Sequence, residues 1–337
     1  MNWLARSLTA AVLLGMIGGA AAADDTITLK FTQPWPANHP QWVHGGQVFV
    51  DHVTAATNGR VKFEVYHAAQ LGNDSLGLLS SGLADVALTS TNYAPDKFPL
   101  SGVTELPGNF ESACEGSRKF REIATAGGPL FENEYGPLGL HPIYMAISPP
   151  ASLVMHEKKV SSLADINGLK LRAAGGAASE TIRELGGVPM QTVASELYDA
   201  LSRGTIDGAM YYYVGMPSFS LEEVFHTGVD NLHFGAGAVL ATMEQSRWEE
   251  LPPDVQKAIE EGSAAAEQSL CSWFDENEKG IRDQLVADRG FTVTSLPDSD
   301  LEVWGGIQEK IGEAWAKTLD EHGHKGIEVL DAFRQAK

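Results

Sequence analysis

One arginine is distinguished by the chemistry that its position allows. Arg172 lies in the apolar segment 169–174, immediately before Gly175 and Gly176, so it is expected to project from near the carboxyl end of a β-strand. An arginine stays charged and binds a carboxylate through two parallel hydrogen bonds. Arg172 is therefore a candidate anchor for an acidic ligand. The alternative is an ion pair with one of the 44 aspartates and glutamates.

Aromatic residues at predicted strand ends form a second group. Tyr211, Tyr212 and Tyr213 end one predicted strand, so alternate rings are expected on opposite faces, and Trp35 follows another strand. Such rings can line a ligand cleft. Most buried tyrosines, however, pack in a core with the hydroxyl hydrogen-bonded elsewhere. The sequence leaves both interpretations open.

Motifs for catalysis or nucleotide binding are not found. The segment 72–77 has one residue too many for a Gly-x-Ser-x-Gly elbow, and the segment 235–237 lacks the rest of a phosphate-binding loop. Ten histidines occur without the His-Glu-x-x-His spacing of a zinc site. We therefore predict no metal, no cofactor and no enzymatic activity. A periplasmic enzyme acting on a small acid is the alternative.

Two similar units position these residues. Each reads strand, helix, strand, helix, strand, because alternating segments are separated by segments of helical spacing. Strands separated by helices imply parallel sheets with right-handed crossovers. The first unit covers 27–33, 41–57, 61–66, 74–81 and 85–90, and the second covers 169–173, 178–185, 188–192, 196–202 and 206–213.

Both units carry the pattern Leu-Ser-x-Gly-x-x-Asp-x-Ala, at residues 79–87 and 201–209. A glycine that closes a helix before a strand is common, so chance similarity is the alternative. The recurrence of the whole pattern at the same place in both units favours two lobes of similar build. Ligands of such proteins bind beyond the carboxyl ends of the strands and between the lobes. We therefore predict a central cleft.

A long helix is predicted after the two units. The segment 254–279 has helical spacing, and Pro253 suits a first helical turn. A helix in this place would brace both lobes, as in a hinged molecule. A strand at 291–294 and helices at 298–323 and 325–335 follow.

Composition restricts the class of protein. The chain has 337 residues, of which 43% are hydrophobic, enough for two cores. Its net charge of −20 disfavours binding to nucleic acid. Residues 1–23 contain one charge, Arg6, then an apolar stretch and three alanines, the pattern of a cleaved secretory signal peptide. We predict export to the periplasm, an oxidising compartment. One disulfide, between Cys114 and Cys271, is possible there, but the sequence does not decide whether it forms.

Short motifs along the chain are each weak alone, but their order and spacing are specific. They are His-Pro at 39–40, Thr-Asn-Gly-Arg-Val at 57–61, Gln-Leu-Gly at 70–72, Gly-Leu-Ala-Asp-Val-Ala at 82–87, Leu-Pro at 106–107, Leu-Ala-Asp-Ile-Asn-Gly-Leu-Lys-Leu-Arg at 163–172, Glu-Leu-Tyr-Asp-Ala-Leu at 196–201, Gly-Thr-Ile-Asp-Gly at 204–208 and Trp-x-x-Leu-Pro at 248–252. Through them, almost the whole chain after the signal resembles the DctP-type solute-binding proteins of tripartite ATP-independent periplasmic (TRAP) transporters.

The resemblance implies an α/β fold of two lobes, each a mainly parallel sheet flanked by helices, with a central ligand cleft and a long helix spanning both lobes. It implies a receptor that closes over a small organic acid, pairs its carboxylate with Arg172 and delivers it to TRAP membrane subunits. A sensory receptor for a membrane signalling protein is the alternative. We expect a monomer with lobe I at 24–148 plus about 229–253, lobe II at 149–228 plus C-terminal segments, and a bracing helix at about 254–279.

Two departures from the family pattern bear on the ligand. Many relatives carry an Asn after Asp207-Gly208, where this chain continues to Tyr211 and Tyr212, and dicarboxylate-binding relatives tend to carry a second Arg within 144–152, where this chain has none. An unpaired buried carboxylate costs several kcal/mol. We therefore predict a monocarboxylate with an apolar or aromatic body, with a C4-dicarboxylate as the alternative. The predicted ligand-binding residues are Gln33, Trp35, His39, Ser90, Thr91, Arg172, Tyr211, Tyr212 and Phe234.

Overall fold

The computed structural model describes residues 26–337, so the predicted signal peptide at 1–23 lies outside the described residues. Eleven strands of the described chain form two sheets with helices around them. The strands are β1 Ile27–Thr32, β2 Val61–Tyr66, β3 Val86–Ser90, β4 Leu140–Ile147, β5 Ser152–Met155, β6 Lys170–Ala173, β7 Val188–Gln191, β8 Gly208–Tyr211, β9 Thr227–His233, β10 Ala238–Glu244 and β11 Thr292–Thr294.

The first sheet has the strand order β2-β1-β3-β10-β4. Strand β1 runs parallel to β2 and β3, whereas β10 runs antiparallel between β3 and β4. All five residues of β3 are buried, because this strand lies in the middle of the sheet. We call this sheet, with the helices packed on it, the first lobe.

The second sheet has the strand order β11-β9-β5-β8-β6-β7. Strand β6 runs parallel to β7 and β8, β5 runs antiparallel to β8 and β9, and β11 runs parallel to β9. This sheet and its helices are the second lobe. Every strand and helix of the two predicted units is present. The sheets are mixed rather than mainly parallel, because β4, β5, β9 and β10, which were not predicted, add antiparallel pairs.

The helices are α1 Gln47–Ala56, α2 Ser75–Ser80, α3 Ala113–Ala124, α4 Gly176–Glu184, α5 Leu197–Ser202, α6 Gln245–Glu249, α7 Pro253–Arg289, α8 Asp298–Glu321 and α9 Gly326–Gln335. The predicted long helix is α7, which has 37 residues and continues ten residues beyond the predicted end. Pro253 occupies its first turn, and Gly290 ends it at a φ of 69°, where glycine is favoured.

The chain crosses between the two sheets at two short segments. Residues 148–151 connect β4 to β5, and residues 234–237 connect β9 to β10. The chain thus returns to the first sheet after β9, whereas the sequence placed this return at about residue 229. Strand β9 pairs with β5 in the second sheet, since Thr227 and Met155 are partners there.

Helix α7 is attached to both lobes by carboxylates. Asp275 accepts hydrogen bonds from the backbone N–H groups of Ala113 (2.7 Å) and Cys114 (3.1 Å), at the start of α3 in the first lobe. Glu278 accepts N–H bonds from Tyr213 (2.7 Å) and Val214 (2.9 Å), which follow β8 in the second lobe. These contacts agree with the expected bracing helix.

The two cysteines also join α7 to the first lobe. Cys114 in α3 and Cys271 in α7 form a disulfide, with their Cα atoms 4.7 Å apart. The sequence left this bridge undecided, because the two residues are 157 positions apart. Cys271 and Asp275 lie one helical turn apart, so one face of α7 holds the start of α3 both covalently and by hydrogen bonds.

Candidate functional site

Arg172 is the third residue of β6 and is only 5% exposed. Its Nε donates a hydrogen bond to the carbonyl oxygen of Thr192 (3.0 Å), just after the neighbouring strand β7, and this bond orients the guanidinium group. The guanidinium carbon lies 5.8 Å from the centre of the Tyr211 ring. Within residues 26–337, Arg172 forms no salt bridge, although its charge acts on the buried carboxyl group of Glu105 across the same cavity.

A cavity of about 60 Å³, partly open to solvent, lies beside Arg172 between the two lobes. Arg172 is the only cationic side chain among the described residues that line it. The walls come from both lobes and from the crossing segments, and consist of Trp35, Gln41, Ser90, Asn92, Tyr93, Glu105, Ser148, Ala151, Arg172, Ala174, Ala178, Ala194, Met210, Tyr211, Tyr212, Gly235, Ala236 and Gly237.

Two tyrosines form one wall together. Strand β8 ends at Tyr211, so the strand alternation stops there, and the rings of Tyr211 and Tyr212 stack with centres 4.8 Å apart and planes 12° apart. The expectation that neighbouring rings face opposite sides is thus wrong for this pair. Burial raises the pKa of Tyr212 to about 12, so its hydroxyl stays protonated at neutral pH. Tyr213 belongs to the core, where it packs on Phe291.

A hydrogen bond joins the lobes at this wall. The Nε2 of Gln41, in the first lobe, donates to the Tyr212 hydroxyl (3.0 Å) and lies 3.2 Å from the Ser148 hydroxyl. Gln41 is 1% exposed and begins the π-helical turn Gln41–Gly46 before α1. The sequence interpretation missed Gln41, because the helical spacing of the segment 41–57 predicts a helix but does not show that its first residue faces the cleft.

Glu105 is the second residue that the sequence interpretation missed. It ends the 3-10 helix Leu100–Glu105 of the first lobe, is 3% exposed and lines the cavity. Its carboxylate accepts the backbone N–H of Ala178 (3.3 Å) at the start of α4, in the second lobe. Burial raises the pKa of Glu105, whereas hydrogen bonds from Asn92 and Ala178 and the charge of Arg172 oppose this rise.

Three residues predicted to bind the ligand, Gln33, Trp35 and His39, lie at different places relative to the cavity. Trp35 lines the cavity. Gln33 lies in the adjoining groove and fixes Trp35, because its Oε1 accepts the Trp35 N–H at 2.8 Å and its Nε2 donates to the Trp35 carbonyl at 2.6 Å. His39 does not line the cavity. Its ring is buried between Trp35 (5.4 Å) and Phe219 (5.5 Å), because it completes an aromatic stack.

Of the remaining predicted residues, only Ser90 lines the cavity, and its hydroxyl donates to the Asn92 side chain (2.7 Å). Thr91 is buried, and its hydroxyl lies 3.5 Å from the Ala238 carbonyl, away from the cavity wall. Phe234 is a core residue whose ring packs edge-on against Trp304 at 5.4 Å. Phe234 itself does not line the cavity, because residues 235–237 of the crossing segment do so instead.

Gly235 shows why the crossing segment 234–237 contains residues with small side chains. A Cβ atom at Gly235 would lie 2.3 Å from the backbone of Glu105, so only glycine allows the crossing segment to approach so closely. The Glu105 backbone is therefore fixed beside the crossing.

Comparison with known proteins agrees with this geometry. The model of a family described as bacterial extracellular solute-binding protein, family 7 (DctP) matches residues 31–322. The chain belongs to this family. The C4-dicarboxylate-binding periplasmic protein DctP of Rhodobacter capsulatus is 26% identical to it, over 98% of this chain and 97% of the relative. The resemblance inferred from the short motifs is thereby confirmed.

Solved structures of TRAP solute-binding proteins have the same two-lobed fold. One from Rhodoferax ferrireducens, in complex with copurified benzoate, has a TM-score of 0.81 at 23% identity, over 92% of this chain and 97% of that chain. Another, from a marine metagenome and specific for aromatic acid ligands, is in complex with 3-hydroxybenzoate. It has a TM-score of 0.82 at 25% identity, over the same shares of the two chains.

Membership of the DctP family places the chain among solute-binding receptors rather than enzymes. In residues 26–337, no helix has both the length and the hydropathy of a membrane span. The same part of the chain contains no group of three His, Cys, Asp or Glu side chains that could hold a metal ion.

Proposed function

We propose that this protein is the periplasmic receptor of a TRAP transporter and that it binds a monocarboxylate with an apolar or aromatic body. Arg172 holds the carboxylate, the lobes close over the ligand, and the closed form, a monomer, delivers it to the membrane subunits. One observation carries the proposal. Arg172 is 5% exposed beside a cavity between the lobes, is the only cationic side chain among the described residues that line it, and forms no salt bridge within residues 26–337.

A buried and unpaired guanidinium is unfavourable, because its lost hydration is not replaced. A ligand carboxylate would replace it, and charge-assisted hydrogen bonds of this type contribute about 1.5 to 3 kcal/mol each. The hydrogen bond from Nε to Thr192 leaves the two terminal nitrogens of Arg172 for such a ligand. Arg172 is thus preorganised to bind an anion.

The body of the ligand would lie against apolar and aromatic side chains. Trp35, Met210, Tyr211 and Tyr212 line the cavity, and no second cation faces it among the described residues. A single carboxylate therefore suits the cavity better than two. The aromatic acids bound by two TRAP proteins of this fold support the same choice, whereas the name of the Rhodobacter capsulatus relative keeps a C4-dicarboxylate as the alternative.

Closure follows from the position of the site. Because both lobes contribute walls, a ligand makes its full set of contacts only when the lobes are together. Ligand binding and closure are then one coupled equilibrium, and the membrane subunits can distinguish the loaded receptor by its closed shape.

A binding screen tests the proposal. Ligand-stripped protein is screened by thermal shift against mono- and dicarboxylates with aliphatic and aromatic bodies, and the dissociation constants of hits are measured by calorimetry. We expect monocarboxylate hits whose affinity falls at least about 100-fold in Arg172→Met, since two charge-assisted bonds are lost. The control is Arg183→Met, at an exposed arginine of α4 paired with Glu180.

Three results would contradict the proposal. Stabilisation by dicarboxylates alone would show that the single cation does not select the ligand. Unchanged affinity in Arg172→Met would remove the anchor. Chemical turnover of a bound acid would indicate an enzyme.

A further inference from the structure

Two side chains of opposite charge face the same cavity from different lobes. Arg172 comes from β6 of the second lobe, and Glu105 comes from the end of a 3-10 helix in the first lobe. Both are nearly completely buried, at 5% and 3% exposure. The proposed function uses the arginine and assigns no role to the glutamate.

The Glu105 carboxylate is held in place by its surroundings. It accepts the N–H of Ala178 at 3.3 Å and a hydrogen bond from the side chain of Asn92. Gly175 is so close that a Cβ atom there would lie 2.8 Å from one carboxylate oxygen. Glu105 therefore cannot swing away from an incoming ligand without losing these contacts.

We infer that Glu105 is a specificity-determining residue that rejects ligands with a second carboxylate, an inference that rests on the proposed function. A ligand bound to Arg172 must then present a neutral group, either apolar or a hydrogen-bond donor, to the part of the cavity beside Glu105. The missing second arginine and the buried glutamate act in the same direction.

The physical basis is repulsion between like charges in a poorly hydrated space. Coulomb energies are larger there than in water because the effective dielectric constant is lower. The cavity holds the guanidinium group of Arg172, which stays charged, and the carboxyl group of Glu105, whose ionised form is favoured by Arg172 and by hydrogen bonds and opposed by burial. The first ligand carboxylate therefore pairs with Arg172. A second carboxylate in the same cavity meets the negative charge of Glu105 and no further cation.

The alternative is that Glu105 only caps α4 and helps the lobes to close. In that case its replacement would change closure for every ligand alike. The cost of closure enters the dissociation constants of two ligands as the same factor, so it cancels from their ratio. The ratio of dicarboxylate to monocarboxylate dissociation constants therefore separates the two roles.

The experiment compares two matched pairs of acids by calorimetry at pH 8. Benzoate is paired with isophthalate and propionate with succinate, because the second acid of each pair adds only a carboxylate. Wild-type protein is expected to bind the monocarboxylate of a pair more tightly. In Glu105→Gln, which keeps the size of the side chain, the ratio of the two dissociation constants should fall about tenfold or more.

Glu134→Gln is the control, because Glu134 is also buried and accepts backbone N–H groups of the same 3-10 helix, from Leu100 and Ser101, but does not line the cavity. The ratio of dissociation constants in this control should equal that of wild type.

The inference is overturned if Glu105→Gln leaves the ratio unchanged, or if wild type binds a dicarboxylate as tightly as the monocarboxylate of the same pair. If wild type binds neither these four acids nor any monocarboxylate of the thermal-shift screen, both the inference and the proposed function fail. Monocarboxylate binding that depends on Arg172, with an unchanged ratio, overturns the inference alone.

Discussion

The ligand cavity and the long helix α7 both place charged side chains between the lobes, but they use them differently. On α7, Asp275 accepts two backbone N–H groups from the first lobe, and Glu278 accepts two from the second lobe. In the cavity, Arg172 makes one hydrogen bond with its Nε and, within residues 26–337, no salt bridge. The carboxylates of the helix are held by hydrogen bonds from the protein, whereas the two terminal nitrogens of Arg172 have no such partner among the described residues.

Under the proposed function, this difference separates contacts that hold the fold from a charge that binds the ligand. A charge satisfied internally contributes in every state of the protein, so its removal costs stability. A charge left unpaired contributes little to the free protein, so its removal costs affinity. We therefore expect changes at the α7 attachments and changes in the cavity to have separate effects.

Removal of the disulfide should give the largest effect on stability. In Cys114→Ser/Cys271→Ser, the free energy of unfolding should fall by about 3 to 5 kcal/mol, because the bridge closes a long loop in the unfolded chain. Urea unfolding of the ligand-free protein measures this change. The dissociation constant of the tightest-binding acid of the screen should stay within about twofold of wild type.

Arg172→Met is the matched opposite of this variant. It should retain the free energy of unfolding, or gain some, while it loses ligand affinity. Loss of affinity in the double serine variant, or a large loss of stability in Arg172→Met, would break the division between the two regions.

The same division explains how much of the fold could be predicted. The two strand-helix units were predicted because their periodicity is local. Strands β4, β5, β9 and β10 were missed because they pair across long separations, such as Leu153 with Val229. Their antiparallel pairing makes both sheets mixed.

Residues beside the cavity could be predicted where a strand end places them there, and were missed where the tertiary structure does so. Arg172 and Tyr211 lie at strand ends, which the sequence pattern indicated. Glu105 and Gln41 reach the cavity from helical turns, and no local pattern shows which side of a turn faces a cleft. Phe234 was misplaced because the crossing segment 234–237 turns its backbone to the cavity and its aromatic ring to Trp304.

His39 is a buried titratable group that does not line the cavity, so its protonation should affect stability rather than ligand affinity. Burial lowers its pKa to about 3, so the folded protein keeps the ring neutral. The unfolded chain binds a proton below about pH 6.5. The contribution of His39 to stability is thus fully present above pH 6.5 and is lost as pH falls towards 3, by about 3 kcal/mol at pH 4.

His39→Phe, which keeps a ring between Trp35 and Phe219, should remove this part of the acid sensitivity. Urea unfolding of variant and wild type at pH 7 and pH 4 gives the difference. His44→Phe is the control, because His44 stacks on Trp273 at 4.3 Å but is only partly buried. Equal acid sensitivity of His39→Phe and wild type would show that protonation of His39 carries no cost.

The smallest expected effect is at Tyr212, whose hydroxyl accepts the Gln41 hydrogen bond between the lobes at 3.0 Å. Tyr212→Phe removes one bond, worth about 1 kcal/mol, and leaves the Gln41 amide close to Ser148. If this bond belongs to the closed form, ligand affinity should fall about three- to tenfold by calorimetry, with little change in the unfolding of free protein. Tyr198→Phe, which loses an exposed bond to Glu223 within the second lobe, should leave affinity unchanged. A loss of stability without a loss of affinity in Tyr212→Phe would place this bond with the attachments of α7, as a contact that holds the fold in both the open and the closed form.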